Sequence, residues 1–286
     1  MLRVALPNKG RLASAARELL AEAGLPVAAT DDRALTASLG GEFEALFVRA
    51  EDVPEFVADG AADAGVTGWD LVCESARALE SRLDLGVGRC HLVVAVREDR
   101  GIHALEQLPP RTRVATAFSR LTREFFRRRH VPVEIVPISG AAEVAPRLGI
   151  ADAIVDLTSS GTTLRANGLR PIATILDSTA HLVTGAAWHD AVKHAALEDL
   201  ALALRSVVLA RDQRYVMANL PRAALERVRE VLPGLAGPTV TGVMNCGAHV
   251  AVHAVVPAAS VFRTIARLKA LGGEGILVTR IERLIP

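Results

Sequence analysis

Short apolar runs rich in Val and Ile alternate along this chain with stretches of helical periodicity, and that alternation restricts the fold more than any other feature. Strand, helix and strand in turn is the sequence form of an α/β fold with mainly parallel strands. Residues 2–6 read as a buried strand. Residues 12–23 read as the helix that follows, with Leu12, Ala16, Leu19, Leu20 and Ala23 on one face and Gly24 as its stop. Residues 45–48 and 63–66 are two more short strands, and the helix between them is opened by Asp52 and Pro54. Residues 90–96, 113–117, 133–138 and 151–157 continue the rhythm, the first of these being a candidate crossing between lobes. Two α/β lobes with a cleft accommodate this pattern.

After a long Ala- and Leu-rich helical stretch at 188–210 the rhythm changes. Strand near 215–220, helix 222–231, strand near Thr239, strand 249–256, helix 260–270 and strand 276–281 make β-α-β-β-α-β, the ferredoxin-like split unit. A chain of 286 residues is long enough for this module and two further lobes, each with its own core.

Composition removes several classes of function. With 33 basic and 32 acidic residues the net charge is +1, so the global attraction that nucleic-acid binders use is missing, and 3% aromatic residues are too few for a base-stacking platform. Cys73, Cys90 and Cys246 form no C-x-x-C pair, which fits a reducing compartment and disfavours a disulfide framework or zinc ribbon. The first ten residues lack the long apolar core of a signal peptide, and no uncharged apolar stretch reaches the roughly 18 residues that span a bilayer. A soluble, cytoplasmic protein is expected, with neither nucleic acid nor membrane as partner.

The segment 151–164, Ala-Asp-Ala-Ile-Val-Asp-Leu-Thr-Ser-Ser-Gly-Thr-Thr-Leu, carries the clearest chemistry. An apolar strand bearing Asp152 and Asp156 runs into hydroxyls at Thr158, Ser159, Ser160, Thr162 and Thr163 around Gly161. Successive backbone N–H groups at such a turn, with a helix N-terminus behind them, form a cup for a phosphate. Asp156 cannot hold an anion, but it can accept hydrogen bonds from sugar hydroxyls beside one. Acid followed by hydroxyl loop therefore suggests a phosphorylated sugar. The plainer alternative is a helix cap and turn, for which one hydroxyl suffices.

Asp152 to Asp156, Ser160-Gly-Thr-Thr-Leu164 and Ala166-Asn-Gly-Leu169 resemble the phosphoribosyl-pyrophosphate loop of the ATP phosphoribosyltransferase family. Pro7-Asn-Lys-Gly-Arg-Leu12, Val48-Arg-Ala-Glu-Asp-Val-Pro54 and Gly65-Val-Thr-Gly-Trp-Asp-Leu71 resemble its other signatures in the same order, and the C-terminal module with Pro238-Thr-Val resembles the regulatory extension of the long form. The resemblance implies two periplasmic-binding-protein-like lobes, I (1–90 with 178–211) and II (91–177), plus a ferredoxin-like (ACT-like) regulatory domain at 212–286.

It also implies roles. Lys9 and Arg49 would lie near the diphosphate. Glu143, Asp156, Thr158, Ser159, Ser160, Gly161, Thr162 and Thr163 would hold phosphoribosyl pyrophosphate, and Arg11, Gly68, Trp69 and Asp70 would meet ATP. Magnesium would ride chiefly on substrate oxygens. Histidine would bind the C-terminal domain as effector, with Thr239, Thr241 and Asn245 either as contacts or as solvated turn residues, and the chain would assemble as dimers and hexamers. Two departures stand out: position 69 is often basic in relatives and is Trp here, and the acid that relatives place near residues 215–220 is missing.

Each residue also has a plainer reading. Lys9 can be a solvated loop lysine, Arg49 can pair with Glu51 or Asp52, Asp70 can cap a helix, and Glu143 can serve the dipole of a helix it begins. Trp69 either stacks on adenine or only packs. A P-loop, a third glycine after Gly86-Val-Gly88, and a G-x-S-x-G elbow are all missing, and His249 with His253 lacks a third zinc ligand. A solute-binding or effector protein shares the two-lobed form, and another phosphoribosyltransferase could share the loop.

Overall fold

A computed structural model describes residues 1–28, 34–186, 190–244 and 246–286. In chain order the elements are β1 (Leu2–Pro7), α1 (Gly10–Glu22), β2 (Thr36–Gly40), β3 (Phe43–Val48), α2 (Val53–Ala58), β4 (Ala64–Gly68), α3 (Trp69–Ser75) and β5 (Leu79–Asp84). Then come β6 (Cys90–Arg97), β7 (Thr112–Thr116), α4 (Ser119–Arg128), β8 (Val133–Pro137), β9 (Ala153–Thr158), α5 (Thr162–Ala166), β10 (Leu169–Ser178), β11 (Ala180–Gly185) and α6 (Ala191–Arg211). The chain finishes with β12 (Gln213–Pro221), α7 (Leu225–Val231), β13 (Thr239–Val243), β14 (Cys246–Pro257), α8 (Val261–Ala270) and β15 (Glu274–Arg280).

Two compact units result, Met1–Glu18 with Pro26–Ala201 and Leu19–Leu25 with Leu202–Pro286. The first unit contains two sheets, ordered β2-β3-β1-β4-β11-β5 and β10-β6-β9-β7-β8. β1 pairs in parallel with β3 and β4, and its run Val4-Ala5-Leu6 is buried throughout, as in a strand whose sheet is covered on both faces. Gly65 of β4 has no Cβ because the side chains of Val53 and Val57 on α2 fill that space: a Cβ would lie 2.5 Å from Val53 Cγ1.

The chain passes from the first sheet to the second after β5 and returns between β10 and β11. The two crossings are laced together: Leu85 N–H donates to Ala180 O at 2.9 Å and Ala180 N–H to Val87 O at 2.9 Å. The Asp84 carboxylate accepts from Gly86 N–H at 2.9 Å and from the Thr179 hydroxyl at 2.7 Å, which holds its carboxyl below the ordinary value despite some burial. The two-lobed α/β fold is thus as the sequence suggests.

Strand direction is a correction. Among the described residues the pairings in these two sheets include four that are parallel and five that are antiparallel, rather than mainly parallel. The antiparallel ones come from β2, β5, β6, β10 and β11, and four of these strands escape sequence reading. β5 is Leu-Glu-Ser-Arg-Leu-Asp and β10 carries Arg170, Pro171, Thr174 and Asp177, so neither presents an apolar run. Residues 187–189, where a helix was expected to begin, lie outside the described residues, and α6 is described from Ala191.

The second unit holds the expected β-α-β-β-α-β order in one antiparallel sheet, β13-β14-β12-β15. Placing the first strand of the unit between its third and fourth is the ferredoxin-like arrangement. Alternation puts Val216, Ala218 and Leu220 of β12 with Val250, Val252, Ala254 and Val256 of β14 on one face, where they form a core with Val228 of α7 and Leu268 of α8. Among the described residues no helix is long and apolar enough to cross a membrane.

Candidate active site

Strand ends of both lobes converge on a cavity of about 310 Å³ lined by Arg11 and Leu12 of α1, Gly68, Asp70 and Leu71, the crossing residues Gly88, Arg89 and Cys90, and Leu157, Thr158 and Ser159 at the end of β9. In α/β sheets the carboxyl ends of strands are where ligands sit, because helix N-termini and loop amides gather there. Of the residues expected from sequence, Arg11, Gly68, Asp70, Thr158 and Ser159 share this one wall-to-wall space. Its charged side chains are Arg11, Arg89 and Asp70, two cations and one acid.

Asp70 is 3% exposed and occupies the first turn of α3, whose N-cap is Gly68. The capping reading does not account for it. Its N–H donates to Ser178 Oγ at 3.0 Å, and Ser178 donates its hydroxyl back to Asp70 Oδ1. No ion pair reaches Asp70 among the described residues, and burial raises its carboxyl above the ordinary value despite the Ser178 bond. A Cβ on Gly68 would fall 2.4 Å from Asp70 Oδ1, so that glycine lets the carboxylate fold back over the strand end. Cys90 feels the same environment: burial and the Asp70 charge push its thiol up to about 11, against Ser178 and Arg11.

The hydroxyl loop is tightly self-bonded. Gly161, at φ 71°, donates its N–H to Thr158 Oγ1 at 2.9 Å, and the hydroxyls of Ser160 and Thr162 lie 2.9 Å apart. Arg165, one turn into α5, donates to Ser160 O at 3.0 Å and to Thr162 Oγ1 at 3.4 Å, placing a guanidinium against the loop. Ser159 and Thr163 are exposed at its surface. Of the first-turn amides of α5, Thr162 N–H reaches Ser160 Oγ at 3.4 Å, while those of Thr163 and Leu164 have no earlier helical carbonyl to bond and can donate to an anion. Asp152, by contrast, is structural: it bonds the Arg113 N–H at 3.0 Å and the Arg113 guanidinium at 3.2 Å.

Half-buried Asp156 follows the buried part of β9, and its Oδ1 accepts the Leu157 N–H at 2.8 Å. Burial first, and the nearby Glu143 charge as well, raise its carboxyl above the ordinary value. Glu143 does not begin a helix, as its sequence context suggested. It sits in a single 3₁₀ turn, Ala142–Val144, after Ala141 at φ 52°, so a helix dipole is not what holds it there.

Lys9 is exposed between β1 and α1. Arg49 is exposed as well, with Nη1 3.8 Å from Glu51 Oε1, the plainer of its two readings. Neither lines the cavity. Trp69 stacks on His181, ring centroids 4.9 Å apart at 29°. Burial holds His181 below the ordinary imidazole value, against the pull of Asp84. Thr239 and Thr241 are exposed on the edge strand β13. Asn245 lies outside the described residues.

Sequence reasoning missed Arg89, Cys90, Ser178 and Arg165. Arg89-Cys90 follows Gly86-Val-Gly88, a stretch whose two glycines at positive φ could have marked a crossing near a site. Ser178 carried no signal, since its partner is 108 residues away.

The family profile described as ATP phosphoribosyltransferase matches residues 49–206, and that of the HisG C-terminal domain matches residues 210–283. An ATP phosphoribosyltransferase of Gemmatimonas aurantiaca is 63% identical over 292 residues, covering 100% of both chains. One of Methanothermobacter thermautotrophicus is 44% identical over 286 residues, covering 100% of this chain and 99% of its own. A chain from the ATP phosphoribosyl transferase (HisG:HisZ) complex of Thermotoga maritima superposes with a TM-score of 0.62 at 28% identity, covering 71% of this chain and 98% of its own.

Proposed function

This chain belongs to the ATP phosphoribosyltransferase family, in the long form with a C-terminal domain, and from that premise we propose that it transfers the 5-phosphoribosyl group of phosphoribosyl pyrophosphate to N1 of ATP, releasing pyrophosphate. The reaction opens histidine biosynthesis. The observation that carries the reading is the shared cavity, in which the start of the Thr158–Thr163 loop faces Gly68, Asp70 and Arg11 from the other lobe. A donor and an acceptor substrate held on opposite walls meet in the middle.

On this reading the loop amides and the hydroxyls of Ser159, Ser160, Thr162 and Thr163 bind the 5-phosphate, and Arg165 keeps the loop in shape. Asp156 and Glu143 accept hydrogen bonds from the ribose hydroxyls. Asp70, Gly68, Arg11 and Trp69 orient ATP so that N1 approaches C1 in line as pyrophosphate departs, through a transition state with oxocarbenium character. Lys9 and Arg49 attract the diphosphate; Arg49 exchanges its long Glu51 contact for phosphate oxygens. Pyrophosphate is a good leaving group, so alignment contributes most, up to roughly 7 to 11 kcal/mol. No covalent intermediate with the protein is needed.

Two neighbouring acids without an ion pair among the described residues, Asp156 and Glu143, fit a magnesium ion that arrives on substrate oxygens and keeps most of its waters. When bound, magnesium supplies neutralisation of the departing diphosphate charge.

Histidine as effector of the C-terminal domain is part of the same proposal. β12 lacks an acid for the effector's amine, but Glu274 of β15 stands opposite Asn219 in register and offers one on the adjacent strand. A cytoplasmic homo-oligomer, dimer to hexamer, is the expected form. The experiment is pyrophosphate release from ATP, phosphoribosyl pyrophosphate and magnesium, with pyrophosphatase present to pull the equilibrium. Turnover is expected, and folded protein without turnover refutes the proposal.

A further inference from the structure

α3 follows β4 in the first lobe, yet one face of it is fastened to the second. Asp70 and Glu74 are four residues apart, hence on the same side of the helix. Asp70 is tied to Ser178, the last residue of β10. One turn later the Glu74 carboxylate accepts two backbone N–H groups of α4, from Arg120 at 2.8 Å and Leu121 at 2.9 Å, while the Arg120 Nε–H donates to Glu74 O at 3.0 Å. Between these two ties Leu71 packs on the second-lobe core that contains Phe118 and Phe126.

α4 has no cap of its own. Its N-cap residue is Phe118, without a capping side chain, and its first turn holds no acid. Glu74 therefore supplies from the other lobe the anionic cap that a helix normally takes from its own chain, satisfying two orphan donors and the positive end of the dipole. Because it sits one turn below Asp70, that cap also sets the rotation of α3 about its axis and so where the Asp70 carboxylate points in the cavity.

We infer that Glu74 is a positioning residue for the ATP side of the site: by capping α4 in trans it holds α3 against the second lobe and keeps Asp70 in place. The inference rests on the proposed reading of Asp70 as a contact for ATP. Without the latch, α3 spends part of its time turned away, and the apparent affinity for ATP falls by the fraction of time the competent orientation is populated.

The test uses full-length Glu74→Ala. The KM for ATP at saturating phosphoribosyl pyrophosphate rises about tenfold, the size of losing one charged cap, while kcat at saturating ATP stays near the parent's. Phosphoribosyl pyrophosphate affinity, measured by calorimetry, stays within about twofold, because the Thr158–Thr163 loop is not attached to α3. Hydrogen exchange at the Arg120 and Leu121 amides accelerates. Glu74→Gln, which keeps one acceptor oxygen, gives an intermediate KM, and it carries the test if the alanine variant fails to fold. Faster exchange at those amides with an unchanged ATP KM overturns the inference, as does equal weakening of both substrates. If the parent itself shows no turnover, the phosphoribosyl reading fails instead, and ATP binding to parent and variant, measured by calorimetry, then decides the latch on its own.

Discussion

The Ser178 hydroxyl serves both ends of Asp70, accepting its backbone N–H at 3.0 Å and donating to its carboxylate. Both residues are 3% exposed, so neither water nor a counter-ion stands in for the bond. Ser178→Ala leaves a buried N–H and a buried carboxylate each short of a partner, at a cost of about 1–3 kcal/mol. Equilibrium urea unfolding reads this as a lower midpoint with the slope unchanged. A midpoint equal to the parent's would mean that water replaces the hydroxyl.

Asp156 links stability to pH in the direction opposite to a salt-bridged aspartate. Its carboxyl is raised by burial and by Glu143, so its contribution is complete below the ordinary aspartate value of 3.8 and is lost as pH rises through the higher folded value. Asp156→Asn has no such dependence. Thermal melts across the acidic range should show parent and variant alike at low pH, with the variant the more stable at neutral pH. The same variant binds phosphoribosyl pyrophosphate at least about tenfold more weakly, since it loses a charged acceptor for the sugar. A parent as stable as the variant at neutral pH would contradict the buried-charge account.

Gly65 stands where β4 touches α2. In Gly65→Ala the new methyl meets Val53 Cγ1 at 2.5 Å and Val57 Cγ2 at 2.9 Å, both inside a closed core, so α2 must shift. Overpacking of this kind costs about 1–3 kcal/mol, seen as a lower melting temperature. Because β4 leads directly into Gly68 and Asp70, ATP binding weakens with it.

Cys90 is a slow thiol in a cleft. With its thiol raised to about 11, iodoacetamide labels it sluggishly at neutral pH, and the rate climbs about tenfold per pH unit until the thiolate dominates. ATP shields it, since Cys90 lines the cavity with Asp70 and Arg11. Peptide mapping by mass spectrometry separates it from Cys73 and Cys246. Fast labelling at neutral pH, or labelling indifferent to ATP, would count against the cavity assignment.

Much of the architecture was legible because it is encoded locally. Apolar runs such as Val4-Ala5-Leu6 announce themselves, and the alternation in β12 and β14 needs only neighbours a few residues apart. β5 and β10 were not legible, because they cross or edge the lobes with polar residues and owe their strand form to partners in the sheet. The site divides in the same way. The loop from Asp156 to Thr163 is visible in its hydroxyls, while Arg165 joins it only once α5 has wound and brought the guanidinium back over Ser160.

Sequence alone therefore determined the α/β lobes, the ferredoxin-like module and the loop, since helical and strand periods and turn chemistry act over a few residues. Tertiary structure decided which of the candidate residues meet. Arg11, Asp70 and Ser159 line one cavity only because strand ends of two lobes converge on it. Asp70 is bonded to a serine 108 residues away, and α4 is capped by a glutamate 46 residues before it. Such bonds form between groups that folding brings within about 3 Å, and separation along the chain carries no trace of them.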